Sequence, residues 1–140
     1  MRAFFVVNPR AGHGLVAEKW PAASTLPIVS GWRGTERAGH AAEIAREAVA
    51  RGFDVLVAVG GDGTIHEVIN GLMELPPERR PAFGVIPAGT ANDFARSCGI
   101  PREWDAALRT IESDTRRRLD LATVTGSWGV RYMSIGAFIG

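Results

Sequence analysis

The sequence predicts an α/β fold in which a doubly wound, mostly parallel sheet carries helices on both faces. Three short apolar runs, AFFVVN (residues 3–8), VLVAVG (55–60) and FGVIP (83–87), lack the alternation of a half-exposed strand. Continuous apolar runs of this length are typical of parallel strands that are covered on both faces. Helical segments separate the runs, and this alternation favours a doubly wound sheet. At 140 residues the chain has the length of one domain.

Helical periodicity appears in four segments. Their apolar residues recur at spacings of three and four, and glycine or proline follows most of them. The predicted helices are TERAGHAAEIAREAVARG (35–52), the segment from residue 65 to LPP at 75–77, TANDFARSCG (90–99) and EWDAALRTI (103–111).

The pattern changes from Leu119 onward. LDLATV (119–124), a turn at TGS (125–127) and VRYMSIGAF (130–138) predict an antiparallel hairpin. This hairpin is either the edge of the sheet or the entry to a second unit.

Composition narrows the class of protein. The formal net charge of +1 is too small to argue for nucleic acid as a partner. The single cysteine, Cys98, excludes an internal disulfide and fits a reducing compartment. We find no leader and no apolar run near the roughly 20 residues that span a bilayer. These features predict a cytoplasmic location.

Polar loops that contain glycine follow three of the predicted strands: NPRAGHG (8–14), GGDGT (60–64) and PAGTAND (87–93). In a doubly wound sheet, the carboxyl ends of the strands lie along one edge, where ligands bind. The glycines allow a ligand to approach the backbone closely, so that successive amides face an anion. Helices that start near Thr64 and Thr90 add unpaired amides and a positive dipole end. Together these features predict a phosphate-binding site.

Asp62 lies between the glycines of the second loop. A carboxylate beside phosphates either holds Mg²⁺ or polarises a hydroxyl. A purely structural interpretation also applies to the loops, because Thr64 with Glu67, and Thr90 with Asp93, have the spacing of a capping box. Three such loops at successive strand ends are harder to explain by capping, so we favour the functional interpretation.

Other phosphate and metal motifs are absent or weak. A Walker loop needs G-x-x-x-x-G-K-[ST], and GTERAGHA (34–41) has His40 where that lysine belongs. GHGLVA (12–17) matches G-x-G-x-x-A, but Pro9 and Arg10 separate it from the strand, which argues against a dinucleotide-binding dehydrogenase. His40 and His66 have no partner at metal-ligand spacing.

In order and spacing, NPRAG, GGDGTIHEVINGL and IPAGTANDFAR resemble the N-terminal domain of the diacylglycerol kinase catalytic family. That family includes sphingosine and ceramide kinases and bacterial lipid kinases. The resemblance runs from about Phe4 to Leu121, and TERAGHAAEIA (35–45) is similar to a further family element. It implies an N-domain fold like that of NAD kinase and diacylglycerol kinase. Residues 1–140 would form the nucleotide-binding domain, and the family's β-rich lipid-site domain would be absent from this chain.

The resemblance implies that ATP lies across the strand ends. Asp62 is the expected catalytic residue, acting through Mg²⁺ or on the attacking hydroxyl, and Glu67 is expected to support its loop. The implied nucleotide-binding residues are Asn8, Arg10, Gly12, Thr35, Gly60, Gly61, Asp62, Gly63, Thr64, Glu67, Thr90, Asn92 and Asp93.

The implied reaction transfers the γ-phosphoryl group of ATP to a lipid hydroxyl at a membrane surface, with Mg²⁺. This implies a cytoplasmic protein that associates peripherally with the membrane. Two alternatives stay open: a non-catalytic nucleotide-binding or regulatory module, and an NAD-kinase-like activity, because GGDGT is shared with NAD kinases. Apolar residues near the end of the chain also predict self-association through the C-terminal strands. These residues are Tyr132, Ile135, Phe138 and Ile139.

Overall fold

The computed structural model describes residues 1–119, 121–127 and 129–133. Within them, one sheet has four parallel strands in the order β2-β1-β3-β4. The strands are β1 (Ala3–Val7), β2 (Val29–Gly34), β3 (Val55–Gly60) and β4 (Ala82–Pro87). This arrangement confirms the predicted α/β class and the parallel sheet.

The helices cover both faces of this sheet. They are α1 (Leu15–Ala23), α2 (His40–Ala50), α3 (Asp62–Met73), α4 (Asp93–Cys98) and α5 (Trp104–Ser113), with 3₁₀ turns at Ala11–Gly14 and Pro77–Arg79. Successive strand residues point to opposite faces. Phe5 and Val57 therefore pack in one core with α1 and α5, while Val6 and Leu56 pack in the other with α2 and α3.

The central strands explain the apolar runs of the sequence. Every residue of β1 and β3 is buried, because helices cover both sides of these strands. The edge strand β2, with the sequence VSGWRG, has no fully buried residue. Trp32 of this strand is 48% exposed, although its ring contacts that of the buried Trp20 at a centroid distance of 5.5 Å. A strand with this exposure carries no apolar run, so the sequence pattern did not reveal it.

Helix α2 begins later than the periodicity predicts. It starts at His40, because Gly39 adopts the left-handed conformation with φ +81°. Residues 35–39 instead form a turn, in which the Glu36 amide donates a hydrogen bond to His40 Nδ1 at 3.0 Å. The predicted stop at Gly52 is confirmed, since this residue has φ +91° just after the helix.

The predicted hairpin is present, but it is not the edge of the main sheet. Strands β5 (Ala122–Gly126) and β6 (Gly129–Met133) pair antiparallel as a two-stranded sheet of their own. The sheet-edge alternative is therefore wrong. The side chains of Tyr132, Ile135, Phe138 and Ile139, on which the predicted self-association depends, lie outside the described residues. In the part of the chain that is described, no helix combines the length and the apolar character needed to cross a membrane.

Candidate functional site

A hollow at the carboxyl edge of the sheet is bordered by the loops that follow β1, β3 and β4. Its volume is about 280 Å³. The three glycine-containing loops therefore meet at one place, as the parallel sheet predicts. The first loop contributes Asn8, Arg10, Ala11, Gly12 and His13; the second contributes Gly61, Gly63 and Thr64; the third contributes Gly89 and Thr90.

The size and charge of the hollow limit what it accommodates. Pockets that enclose a whole small-molecule ligand measure about 300–1,000 Å³. A volume of about 280 Å³ is below that range, so it suits part of a nucleotide better than all of it. Arg10 brings a positive charge to the lining, and none of the described carboxylates lines the hollow. This charge balance favours an anionic group.

Asn8 ties the first loop to the second. Its amide N–H donates to the Val59 carbonyl at 2.9 Å, which continues the pairing between β1 and β3. Its side-chain Oδ1 accepts a hydrogen bond from the Arg10 amide at 3.1 Å, and its Nδ2 donates to Thr64 Oγ1 at 3.2 Å. Two side chains that were predicted as phosphate contacts thus also set the distance between two loops.

The first loop has an unusual backbone. Gly12, His13 and Gly14 all have positive φ values, of 71°, 52° and 95°. A Cβ atom at Gly12 would lie 2.5 Å from the Ala88 carbonyl oxygen, at the end of β4. Glycine is therefore required at residue 12 for two independent reasons, the left-handed backbone and the close approach to the third loop.

The second and third loops touch through two glycines. A Cβ atom at Gly61 would lie 2.9 Å from the Gly89 Cα atom, and one at Gly89 would lie 2.6 Å from the Gly61 Cα atom. Real Cβ atoms do not approach so closely, so the contact depends on both residues being glycine. Sequence reasoning did not assign Gly89 to the site. The available signal was its position two residues after a predicted strand, inside the third glycine-containing loop.

Asp62 is not among the residues that line the hollow. Its two carboxylate oxygens accept hydrogen bonds from the backbone amides of Asp93 at 3.0 Å and Phe94 at 3.1 Å. These are the first two residues of α4, so Asp62 satisfies amides that have no partner within that helix. Asp62 is itself the first residue of α3.

Neither predicted capping box forms. Helix α3 begins at Asp62 and α4 at Asp93, so Thr64 and Thr90 are not N-cap residues. Thr64 Oγ1 accepts from Asn8 instead. Asn92 precedes α4 with φ +52°, and its Oδ1 accepts a hydrogen bond from the Gly89 amide at 2.8 Å. The capping interpretation of both spacings is wrong, because Gly61 and Asn92 hold the N-cap positions and no side-chain capping hydrogen bond forms at either.

Glu67 holds the turn at residues 35–39 rather than the second loop. Its Oε1 accepts a hydrogen bond from the Gly39 amide, just before α2. At the other end of this turn, the Thr35 amide donates to the Val7 carbonyl at 2.8 Å. The turn is thus fixed at one end to β1 and at the other end to α3.

The hollow contains seven of the predicted site residues: Asn8, Arg10, Gly12, Gly61, Gly63, Thr64 and Thr90. Six others do not line it: Thr35, Gly60, Asp62, Glu67, Asn92 and Asp93. Gly60 is buried below Thr64, where an added Cβ would lie 2.7 Å from Thr64 Oγ1. Asp93 pairs with Arg96. Contact of any of these residues with a nucleotide stays a prediction.

A magnesium site has limited support from the protein side chains. Within the described residues, no group of three His, Cys, Asp or Glu side chains comes together in a way that would hold a metal ion. Both oxygens of Asp62 already accept hydrogen bonds. The predicted role of Asp62 as a metal ligand therefore remains a prediction.

Comparison with known proteins identifies similar chains. The profile of the diacylglycerol kinase catalytic domain matches residues 2–124. The chain is 41% identical to a diacylglycerol kinase of Bacillus subtilis (strain 168), an alignment that covers 91% of this chain and 43% of that protein. It is 35% identical to a diacylglycerol kinase of Staphylococcus aureus (strain JH9), covering 96% of this chain and 44% of the relative.

A solved structure shares the fold. The crystal structure of a diacylglycerol kinase from Bacillus anthracis str. Sterne superposes with a TM-score of 0.73 at 32% identity, covering 86% of this chain and 44% of that one. The chain thus spans less than half the length of each of these relatives.

Proposed function

The chain belongs to the diacylglycerol kinase catalytic domain family, and from this premise we propose that it binds ATP for phosphoryl transfer to a lipid hydroxyl. The observation that carries the proposal is the hollow where three glycine-containing loops meet. Its lining of glycine backbone, small polar side chains and Arg10, without a described carboxylate, suits a chain of phosphates.

The loops supply the chemistry that phosphoryl transfer needs. The transferred group moves as its bond to the ADP oxygen breaks and a bond to the acceptor oxygen forms, and the hydroxyl proton leaves to a base or to water. This reaction depends on positioning and on stabilisation of charge rather than on a covalent intermediate. Arg10 and the backbone amides of the glycine loops would bind and orient the phosphates. The hydrogen bond between Asn8 and Thr64 and the close contact between Gly61 and Gly89 fix the loops before the ligand binds.

Magnesium would enter this site with the nucleotide. Mg²⁺ commonly retains several waters and binds through substrate phosphates and one or two carboxylates rather than in an all-protein cage. This mode of coordination is compatible with the described residues, which form no such cage. Bound Mg²⁺ would neutralise phosphate charge, while this chain's own residues hold the phosphates in place.

The acceptor is proposed from the family and from the names of the relatives. Proteins named diacylglycerol kinase are similar over nearly the whole chain, which favours a diacylglycerol-like alcohol at a membrane surface. We therefore propose peripheral association with the membrane for the whole protein. A non-catalytic nucleotide-binding module and an NAD-kinase-like enzyme are outcomes that the following experiment would detect.

A chimeric enzyme tests whether this chain can serve as the ATP-binding part of a lipid kinase. In the Bacillus subtilis diacylglycerol kinase, the segment that aligns with residues 2–124, the span of the family match, would be replaced by those residues. We expect the chimera to transfer radiolabelled phosphate from ATP to diacylglycerol in mixed micelles and not to NAD. Phosphorylation is measured with both acceptors side by side.

The control is the unmodified Bacillus subtilis protein, and thermal unfolding verifies that the chimera is folded. A folded chimera that binds ATP and phosphorylates neither acceptor would support a non-catalytic module and refute the kinase proposal. Transfer of the radiolabelled phosphate to NAD would instead support the NAD-kinase-like alternative.

A further inference from the structure

Asp62 lies where a negative charge is least expected, between glycines in a loop that borders a hollow suited to anions. Backbone amides of α4 bind this carboxylate. Both carboxylate oxygens point to the start of α4, where they accept the amides of Asp93 and Phe94 at 3.0 and 3.1 Å. The side chain is half-buried there and is not part of the hollow's lining. The carboxylate thus meets two unpaired amides at the positive end of a helix dipole.

The residue that precedes α4 does not cap this helix. Asn92 holds the N-cap position, but its side chain makes no capping hydrogen bond to α4. It is buried and turns back to accept the Gly89 amide at 2.8 Å, which closes the third loop on itself. The cap of α4 therefore comes from 31 residues earlier in the chain, across the contact between two loops.

Two contacts fix the third loop against the second, and a further hydrogen bond closes the third loop on itself. Asp62 binds the far end of the loop, Asn92 closes it, and Gly61 lies against Gly89 at its near end. Gly89 and Thr90 of the third loop line the hollow together with Gly61 and Thr64 of the second loop. The contacts of Asp62 and Gly61 therefore fix where the third loop lies at the edge of the hollow.

We propose that Asp62 is a positioning residue, which holds the loop of Gly89 and Thr90 in place for the phosphates and acts through α4 rather than on Mg²⁺ or on the acceptor hydroxyl. This inference rests on the proposed nucleotide-binding function of the hollow. The carboxylate has hydrogen-bond partners in the described structure, the amides of Asp93 and Phe94. An acid is tolerated beside a phosphate site because these amides, which lie outside the hollow, bind its charge.

The test compares the 140-residue chain with Asp62→Asn, which keeps one acceptor oxygen and removes the charge. We expect ATP affinity to fall at least tenfold, and by the same factor in magnesium buffer and in EDTA, since the loop moves whether or not metal is present. We also expect the amides of Asp93 and Phe94 to exchange with solvent deuterium at least tenfold faster in the variant. Asp105→Asn, the same change in the first turn of α5, should alter neither quantity.

Two results would overturn the inference. One is an affinity loss in Asp62→Asn that disappears in EDTA, which would assign the carboxylate to the metal. The other is unprotected amides at Asp93 and Phe94 in the unmodified chain, a measurement that needs no variant to fold. If the unmodified chain fails to bind ATP, the proposed function fails, while the exchange rates of these two amides still decide whether the contact exists.

Discussion

Replacing Gly89 with alanine is expected to weaken ATP binding at least tenfold while the chain remains folded. The added Cβ would lie 2.6 Å from the Gly61 Cα atom and 3.2 Å from Asn92 Oδ1. The first neighbour is backbone, which cannot rotate away as a side chain would, so the two loops must separate. Inserting a methyl group into a tight contact costs about 1–3 kcal/mol. A tenfold loss of affinity corresponds to about 1.4 kcal/mol, within that range.

The matched control for this prediction is Gly34→Ala. Gly34 ends β2, and an added Cβ there would have its nearest neighbours at an ordinary 3.9 Å. Urea unfolding should show a stability loss for Gly89→Ala and little change for Gly34→Ala, and calorimetry measures the affinity of both. Full ATP affinity in a folded Gly89→Ala chain would show that the separation of the second and third loops does not matter for the ligand.

The second large effect is expected at Gly12. Alanine at this residue must adopt φ +71°, and its Cβ would also lie 2.5 Å from the Ala88 carbonyl oxygen and 2.8 Å from Leu15 Cβ. Strain in the left-handed region costs about 1 kcal/mol, and overpacking adds about 1–3 kcal/mol. We expect the first loop to move away from the end of β4, with an unfolding free energy lowered by about 2–4 kcal/mol and ATP affinity reduced more than tenfold.

Gly14→Ala separates the two causes at Gly12. Gly14 has φ +95° but no atom within 4 Å of an added Cβ, so this variant carries the strain without the steric overlap. Its unfolding free energy should fall by only about 1 kcal/mol, and its ATP affinity should change by less than threefold. Equal losses in the two variants would mean that the contact with Ala88 contributes nothing, and that backbone conformation alone explains the glycine.

The parts of the fold that the sequence predicts are those with a local physical signal. Strands β1 and β3 were predicted because helices bury both of their faces, which requires an unbroken apolar run. The exposed edge strand β2 has no such requirement. Helix α5 was predicted because Trp104, Leu108 and Ile111 share its buried side. Burial is thus the property that makes an element visible in the sequence.

The site was predicted at the level of loops but not of individual contacts. That three loops meet follows from the parallel sheet, whose strand ends share one edge. The partners of Asp62 and Glu67 lie 31 and 28 residues away in the chain. Spacing rules describe neighbours within one helix, so they assigned Thr64 with Glu67, and Thr90 with Asp93, to capping boxes that do not form. Only the three-dimensional structure shows which loop each side chain bonds to.

The most direct test of the account follows the backbone amides of the isotope-labelled chain by NMR during titration with ATP and, separately, with inorganic tripolyphosphate. The account predicts that both ligands shift amides in all three loops, at residues 8–14, 60–64 and 87–93, with a single dissociation constant for each ligand. Adenosine, which lacks phosphates, should leave these amides unchanged. Shifts confined to one loop, or shifts of equal size with adenosine, would contradict the claim that the three loops form one phosphate-binding site.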